Sequence, residues 1–367
     1  MAIPKAGART AAPSAGPGSP FAVLEGKKGR ARILLLLLVL LLFTTVAAAV
    51  GVGAVPISPS ELLRVLGLAP GSGSTADPVK EAIIFQLRLP RVVAATLVGA
   101  SLAVAGAAFQ ALFRNPMADP YVIGVSSGAS LGATLAMLLA LDFRFLGIGA
   151  VPVLAFAAAL VTVVLVYHLA KTGHVVSTFT LLLAGIAVGS FLSALVSLVV
   201  YFSGERLHQV VFWLMGGFGG ANWSYVQVAV PYFVLGAGVI VFHARELNLL
   251  LLGEETAGYL GVEVERAKKL ILAGATLLTA TAVSTGGVIG FVGLVVPHAV
   301  RLIGGPDHRF LIPASALAGA TLMVAADALA RTVLAPTELP VGVITALAGG
   351  PFFLYVLRNR KKMRFFA

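Results

Sequence analysis

The feature that most limits what this chain can become is a succession of apolar runs, each about 20 residues long and almost free of charge. Ile33 to Gly53 contains no Asp, Glu, Lys or Arg, and comparable runs follow at roughly 89–112, 120–140, 147–169, 178–202, 224–243, 267–284, 287–303, 310–330 and 340–357. A helix rising about 1.5 Å per residue needs about 20 residues to cross the roughly 30 Å hydrocarbon layer of a bilayer. The runs therefore predict an all-α, polytopic membrane protein with about ten transmembrane helices. Composition agrees. Of the 367 residues, 59% are hydrophobic and 11% charged, where soluble domains carry about 25% charged residues. Folding hides only about three quarters of the surface that an unfolded chain of this size exposes, so the surplus must face lipid. The 41 glycines suit close helix packing. Around 280–305, Gly286, Gly287, Gly290 and Gly293 interrupt the pattern, and two short helices or one broken helix both fit.

Charge sets the orientation. With the N-terminus inside and ten alternating spans, roughly 19 of the 26 Lys and Arg fall on the cytoplasmic side and roughly 7 outside. The inside set includes Arg114, Lys171, Arg245, Arg266, Lys268, Lys269, Arg301, Arg309 and the tail from Arg358 to Arg364. The reversed orientation would violate the positive-inside rule, so both termini are expected in the cytoplasm. The net charge of +11 is not gathered into one stripe, which argues against nucleic acid as a partner. Without cysteine there can be no disulfide, thiolate chemistry or Cys-ligated metal. Residues 1–32, rich in Ala, Gly, Pro and Ser, are expected to be a disordered cytoplasmic tail, 33–358 the transmembrane domain, and 359–367 a basic cytoplasmic tail. Ala47-Ala48-Ala49 is like a signal-peptidase site, so a cleaved leader competes with a first span, and the length of the run favours the span.

Three segments between spans look structured. Residues 54–88 form a long outer connection in which Pro59-Ser60-Glu61-Leu62-Leu63 starts a short amphipathic helix. Gln209 to Met215, closed by Gly216-Gly217-Phe218-Gly219-Gly220, is too short to span and is placed at the outer surface. Residues 245–266 alternate polar and apolar positions at helical spacing, with Gly253 and Gly261 as punctuation. They predict a folded cytoplasmic element offering Glu254, Glu255, Tyr259, Glu263 and Glu265, for which a solvated linker helix is the plain alternative.

Ion-driven transporters bury ionisable groups within the membrane. Here the spans are nearly free of them, and Asp327, Arg331 and His298 sit near span ends. Asp327 and Arg331, four apart on one helix, can form a structural ion pair, which is favoured over a proton relay. His298 reads as a packing histidine rather than a metal ligand. The six histidines and scattered acids do not cluster as an enzyme's ligands would. No GxxxxGK[ST] loop is present, so any ATP chemistry must come from another subunit.

Several motifs occur in order. They are Arg88-Leu89-Pro90-Arg91; Ala105-Gly106; Gln110 to Pro120 (QALFRNPMADP); Gly124-Val125-Ser126-Ser127-Gly128-Ala129; Leu181 to Gly185 (LLLAG); Trp213 to Gly217 (WLMGG); and Gly253-Glu254-Glu255. Gly290 to His298 (GFVGLVVPH), Arg301-Leu302, Asp307-His308-Arg309 and Glu338 to Gly342 (ELPVG) follow. From about residue 33 to 358 the chain resembles the iron-complex, haem and vitamin B12 permeases of bacterial binding-protein-dependent ABC importers.

The resemblance implies a type II importer permease in the bacterial inner membrane. It implies ten helices per subunit, a homodimer with a central pathway, two ATP-binding subunits below and a substrate-binding protein above. The chain itself would hold no cofactor, ATP and Mg being used by the ATPase. ATPase coupling would fall to Gly253, Glu254, Glu255, Ala257, Leu260 and Gly261. Asn115, Met117, Ser177 and Thr178 would narrow the cytoplasmic exit, where ordinary turn chemistry is the alternative. Gly185, Gly189, Ser190, Ser193 and Ser197 on one helix, with Gly342, Thr345 and Gly349 on the last, would line the pathway. Arg88, Arg91 and Arg331 would dock the binding protein, unless they only anchor headgroups. Nothing in the sequence separates haem, ferric siderophore, cobalamin and cobinamide as cargo. An ion-coupled secondary transporter is the alternative.

Overall fold

The computed structural model describes residues 20–53, 55–65, 77–173 and 175–358, and helices occupy most of them. The first, α1 (Pro20–Gly51), has proline in its opening turn, where a missing N–H leaves no bond unmade. It takes in residues 20–32, which composition assigned to a disordered tail. Once the leucine run has nucleated a helix, each residue added at its start gains a hydrogen bond at little further entropy cost. The rest of both expected tails, 1–19 and 359–367, lies outside the described residues. The expected outer helix is α2 (Pro59–Val65). Lys80 and Ser58 donate to the carboxylate of Glu61 in its first turn and hold that pKa down at about 2.

The second span begins earlier than its apolar run suggests. Helix α3 (Pro78–Ala82) continues through a π-helical segment, Ile83–Arg88, into α4 (Leu89–Leu112). Pro90 explains the wide turn, because it has no N–H to donate and its ring crowds the preceding turn. The Leu89 N–H reaches back five residues to Ile84 O. Phe85 O then lacks a helical partner, and the Trp223 indole N–H donates to it at 2.8 Å.

Helix α5 (Val125–Leu138) leads through an antiparallel hairpin, β1 (Arg144–Phe145) with β2 (Ile148–Gly149), to α6 (Ala150–Ala170). Arg144 lies opposite Gly149. A second hairpin, β3 (Lys171–Thr172) with β4 (Val175–Val176), pairs Lys171 with Val176 and feeds α7 (Thr178–Phe202). Then come α8 (Leu207–Met215), α9 (Trp223–Phe242), α10 (Ala244–Leu250), α11 (Glu254–Tyr259) and α12 (Val264–Gly286). The chain closes with α13 (Val292–Gly304), α14 (His308–Ala330) and α15 (Val341–Arg358).

Each expected run holds a helix. Seven helices among the described residues are long and apolar enough to cross a bilayer, while α5, α13 and α15 are shorter. The glycine-rich stretch is two helices, not one: α12 stops at Gly286, Gly287 turns the chain at φ +70°, and α13 starts at Val292.

Helix α4 is the centre, packed by α14, α12, α13 and α9. Only small residues allow this. A Cβ on Gly106 would stand 1.8 Å from Gly293 O, and one on Gly99 would stand 2.3 Å from Gly319 O. Backbone meets backbone at both points, as between membrane helices that associate without a hydrophobic drive. By contrast, Gly29–Gly51 of α1, together with α7 and α9, leave most of their surface uncovered by the chain. That surface is available to lipid or to another subunit.

Candidate functional site

Two ends of the bundle and one uncovered helix face carry the candidate residues. At the first end, the chain leaves α9 and forms α10 and α11 outside the spans. Gly253, at φ +111°, precedes α11, and Gly261, at φ +86°, follows it; a side chain at either would strain the reversal. Leu247, Leu250 and Ala257 are buried and anchor the element to the core, whereas Leu251, Leu252, Glu255, Tyr259 and Leu260 are exposed. Ala257, expected among the coupling contacts, instead faces inward. Asn248 binds the element to the start of α14, donating to Asp307 Oδ1 at 2.8 Å and accepting from the His308 N–H at 2.9 Å.

Glu254 and Glu265 were expected to face solvent, and both turn partly inward. Lys268 Nζ donates to Glu254 Oε2 (2.9 Å), Glu265 Oε1 (2.7 Å) and Val176 O (2.6 Å). Thr178 Oγ1 donates to Glu254 Oε1 at 2.9 Å, and Glu265 Oε2 accepts from the Val176 N–H at 3.1 Å. Burial pushes the Glu254 carboxyl up, but the bonds from Lys268 and Thr178 outweigh it and hold the group below its ordinary value. Lys268 counted only as a topology charge in the sequence. Its i,i+3 spacing from Glu265 was the one local signal of a larger role.

The expected exit residues lie beside this network. Asn115 Oδ1 accepts from the Met117 N–H at 3.0 Å, which shapes the turn after α4. Ser177 is the N-cap of α7 and Thr178 its first residue. Asp119, in the same loop, accepts from the Tyr121 N–H at 2.8 Å; burial lifts its pKa to about 6 against that bond.

The expected pathway residues divide. On α7, Ser190, Ser193 and Ser197 are exposed in a stripe, and Ser193 Oγ lies 3.2 Å from Ser127 Oγ of α5. Gly185 and Gly189 face inward against the start of α5. On α15, Gly342 packs on Met215 O, Thr345 is buried, and Gly349 packs on Phe291. These three therefore do not line open space in the single chain. Ala346, Leu347 and Ala348 occupy the uncovered side.

At the opposite end, Arg88 and Arg331 are buried and point inward rather than toward a docking protein. Arg88 donates to Val50 O (2.9 Å), Gly51 O (2.9 Å) and Val55 O (2.5 Å), and Arg331 to Ala49 O and Val52 O (both 3.1 Å). The last carbonyls of α1 lack helical partners, and a guanidinium is a fitting cap for them. Arg206 does the same for α5, donating to Met137 O and Leu138 O. Arg91 holds Asp327 at 2.9 Å on one side and Glu338 at 2.9 Å on the other, and Arg331 Nε lies 3.1 Å from Asp327. The ion pair expected between Asp327 and Arg331 is thus part of a larger cluster. Arg91 and Glu338 also border a cavity of about 390 Å³ beside α8, lined in addition by Gln209, Trp213, Tyr225 and Ser284. His298 is buried at the first end.

A family model described as the FecCD transport family matches residues 36–359. The cobalamin import system permease protein BtuC of Halobacterium salinarum is 52% identical over 77% of this chain and 74% of its own. The hemin transport system permease protein HmuU of Yersinia pestis is 44% identical over 77% and 85%, and the vitamin B12 import system permease protein BtuC of Escherichia coli is 42% identical over 79% and 87%. An inward-facing structure of a metal-chelate type ABC transporter superposes with a TM-score of 0.78 at 34% identity, covering 89% of this chain and 99% of that one.

Proposed function

This chain belongs to the FecCD transport family, and from that premise we propose that it passes a haem, ferric siderophore or corrinoid inward by alternating access, as one of two identical subunits. It is an inner-membrane permease subunit of an ABC importer, and ATP is hydrolysed on a separate subunit. The observation that carries the mechanism is the α10–α11 element. It is anchored by Leu247, Leu250 and Ala257 and presents Leu251, Leu252, Glu255, Tyr259 and Leu260 outward. A helical patch with an apolar centre and an acidic rim suits docking of a basic-rimmed cleft.

In this reading the α10–α11 end is cytoplasmic, together with both termini, as the Lys and Arg asymmetry supports. ATPase subunits dock there, and Asn115, Met117, Ser177 and Thr178 form the exit. The serine stripe of α7 meets its twofold copy across the pathway. A row of hydroxyls without charge holds cargo weakly, which suits a conduit that must release what a binding protein delivers. The binding protein sits over the opposite end, where Glu338 is half-exposed at the cavity mouth. ATP and Mg belong to the ATPase, and this chain holds no cofactor.

The test is uptake into proteoliposomes containing the chain, its ATPase and its binding protein, with labelled cobalamin, haem and a ferric siderophore offered in turn. One of the three should accumulate with ATP and stop with vanadate. Accumulation by the chain alone, driven by an ion gradient, would refute the proposal.

A further inference from the structure

Lys268 is a cation that neither the pathway nor the docking surface uses. Its side chain is 9% exposed, and a lysine ammonium has three donors. All three are engaged, each on a different segment: the Val176 carbonyl of β4, Glu254 of α11 and Glu265 of its own helix α12. Two of those segments matter for function. Strand β4 ends one residue before Ser177, the N-cap of α7, and Glu254 opens α11, the second helix of the element proposed to receive the ATPase. Thr178 closes the circuit by donating to Glu254 from the first residue of α7. Glu265 grips β4 a second time through the Val176 N–H.

We propose that Lys268 is a positioning residue that joins the α10–α11 element to the entry turn of α7, so that displacement of the element moves the exit residues. This rests on the coupling role assigned above to α10–α11. The geometry supports a tie rather than a contact with either partner. A buried ammonium with every proton placed cannot follow one acceptor without pulling on the other two or leaving a charge unpaired. Glu255, one residue from Glu254, is exposed and bonds weakly within its own helix to Tyr259 at 3.4 Å, so docking and transmission are separable by residue.

The chain has no cysteine, which allows a clean reporter. Phe179 is exposed beside the exit turn. A Phe179→Cys chain, assembled with its ATPase and binding protein in nanodiscs, is labelled with a maleimide, with and without ATP plus vanadate. ATP should change the labelling rate in this parent. In Lys268→Met the ATPase should still copurify and hydrolyse ATP, while the ATP-dependent change in labelling falls by about tenfold; Lys268→Arg should restore much of it. Thr178→Val, which keeps the buried cation paired, should reduce the change by a smaller factor and guards against misfolding of the methionine variant. Lys268→Met with an unaltered labelling response would overturn the proposal, as would loss of ATPase copurification in proportion to the labelling response. A parent that never responds to ATP would overturn it too, by removing the coupling role it stands on.

Discussion

Replacing Asp327 with Ala removes the acid at the centre of the cluster that closes one end of the bundle. Its carboxylate is 1% exposed and accepts from Arg91 Nε at 3.0 Å and Nη2 at 2.9 Å, with Arg331 Nε at 3.1 Å. Without it, Arg331 keeps only carbonyl acceptors, and Arg91 keeps Glu338. Removing one member of a buried ion pair strands the other, at a cost of about 3–5 kcal/mol. Glu338 is 47% exposed, so Glu338→Gln should cost less than about 1 kcal/mol. Asp327→Asn, which retains an acceptor oxygen, should fall between. The assay is thermal unfolding of the purified chain in one detergent, followed by tryptophan fluorescence and checked for reversibility. D327A should melt several degrees below the parent and E338Q within about one degree. Equal shifts for D327A and E338Q would refute the reasoning, because the burial difference between the two acids would then be without consequence. The same variants separate structure from proton transfer: D327N should leave the pH profile of ATP-driven uptake unmoved, whereas a relay residue would shift or flatten it.

Glu255→Lys should reduce copurification of the ATPase without lowering the melting temperature, while Glu254→Lys should lower both, since it also places a second cation against Lys268; identical behaviour would undo the division of roles. Gly106→Val should prevent accumulation of folded protein, or cost at least about 3 kcal/mol, because its Cβ would overlap Gly293 O; wild-type expression and melting would show that α4 and α13 separate easily. Asp119 has its pKa raised from 3.8 to about 6, so the stability it lends when protonated is full below about pH 3.8 and is lost as pH rises through about 6. Asp119→Asn should therefore match the parent near pH 4 and exceed it by up to about 3 kcal/mol at pH 8, and a gap independent of pH would contradict this. Ser193→Cys in the cysteine-free chain should form an intermolecular disulfide in membranes under mild oxidation; a strictly monomeric product would count against the twofold pathway.

The sequence alone determined the all-α membrane class, the helix at each of the ten runs, the short outer helix from Pro59 and the family, because hydrocarbon thickness and backbone satisfaction leave an apolar 20-residue run few other states. It also determined that the chain carries no P-loop, since that chemistry needs a local motif. What it could not determine was the direction in which each polar side chain points. Arg88 and Arg331 read as outward charges until tertiary structure set them beneath the end of α1, 37 and 279 residues away from the carbonyls of Gly51 and Val52. Gly342, Thr345 and Gly349 read as a pathway face until Met215 of α8 packed on Gly342, Phe291 packed on Gly349 and Thr345 was buried. Lys268 looked like one more topology charge until β4, α11 and α12 converged on its ammonium. In each case the partner lies far away in sequence, and only packing decides which unmet donor or acceptor a buried side chain will find.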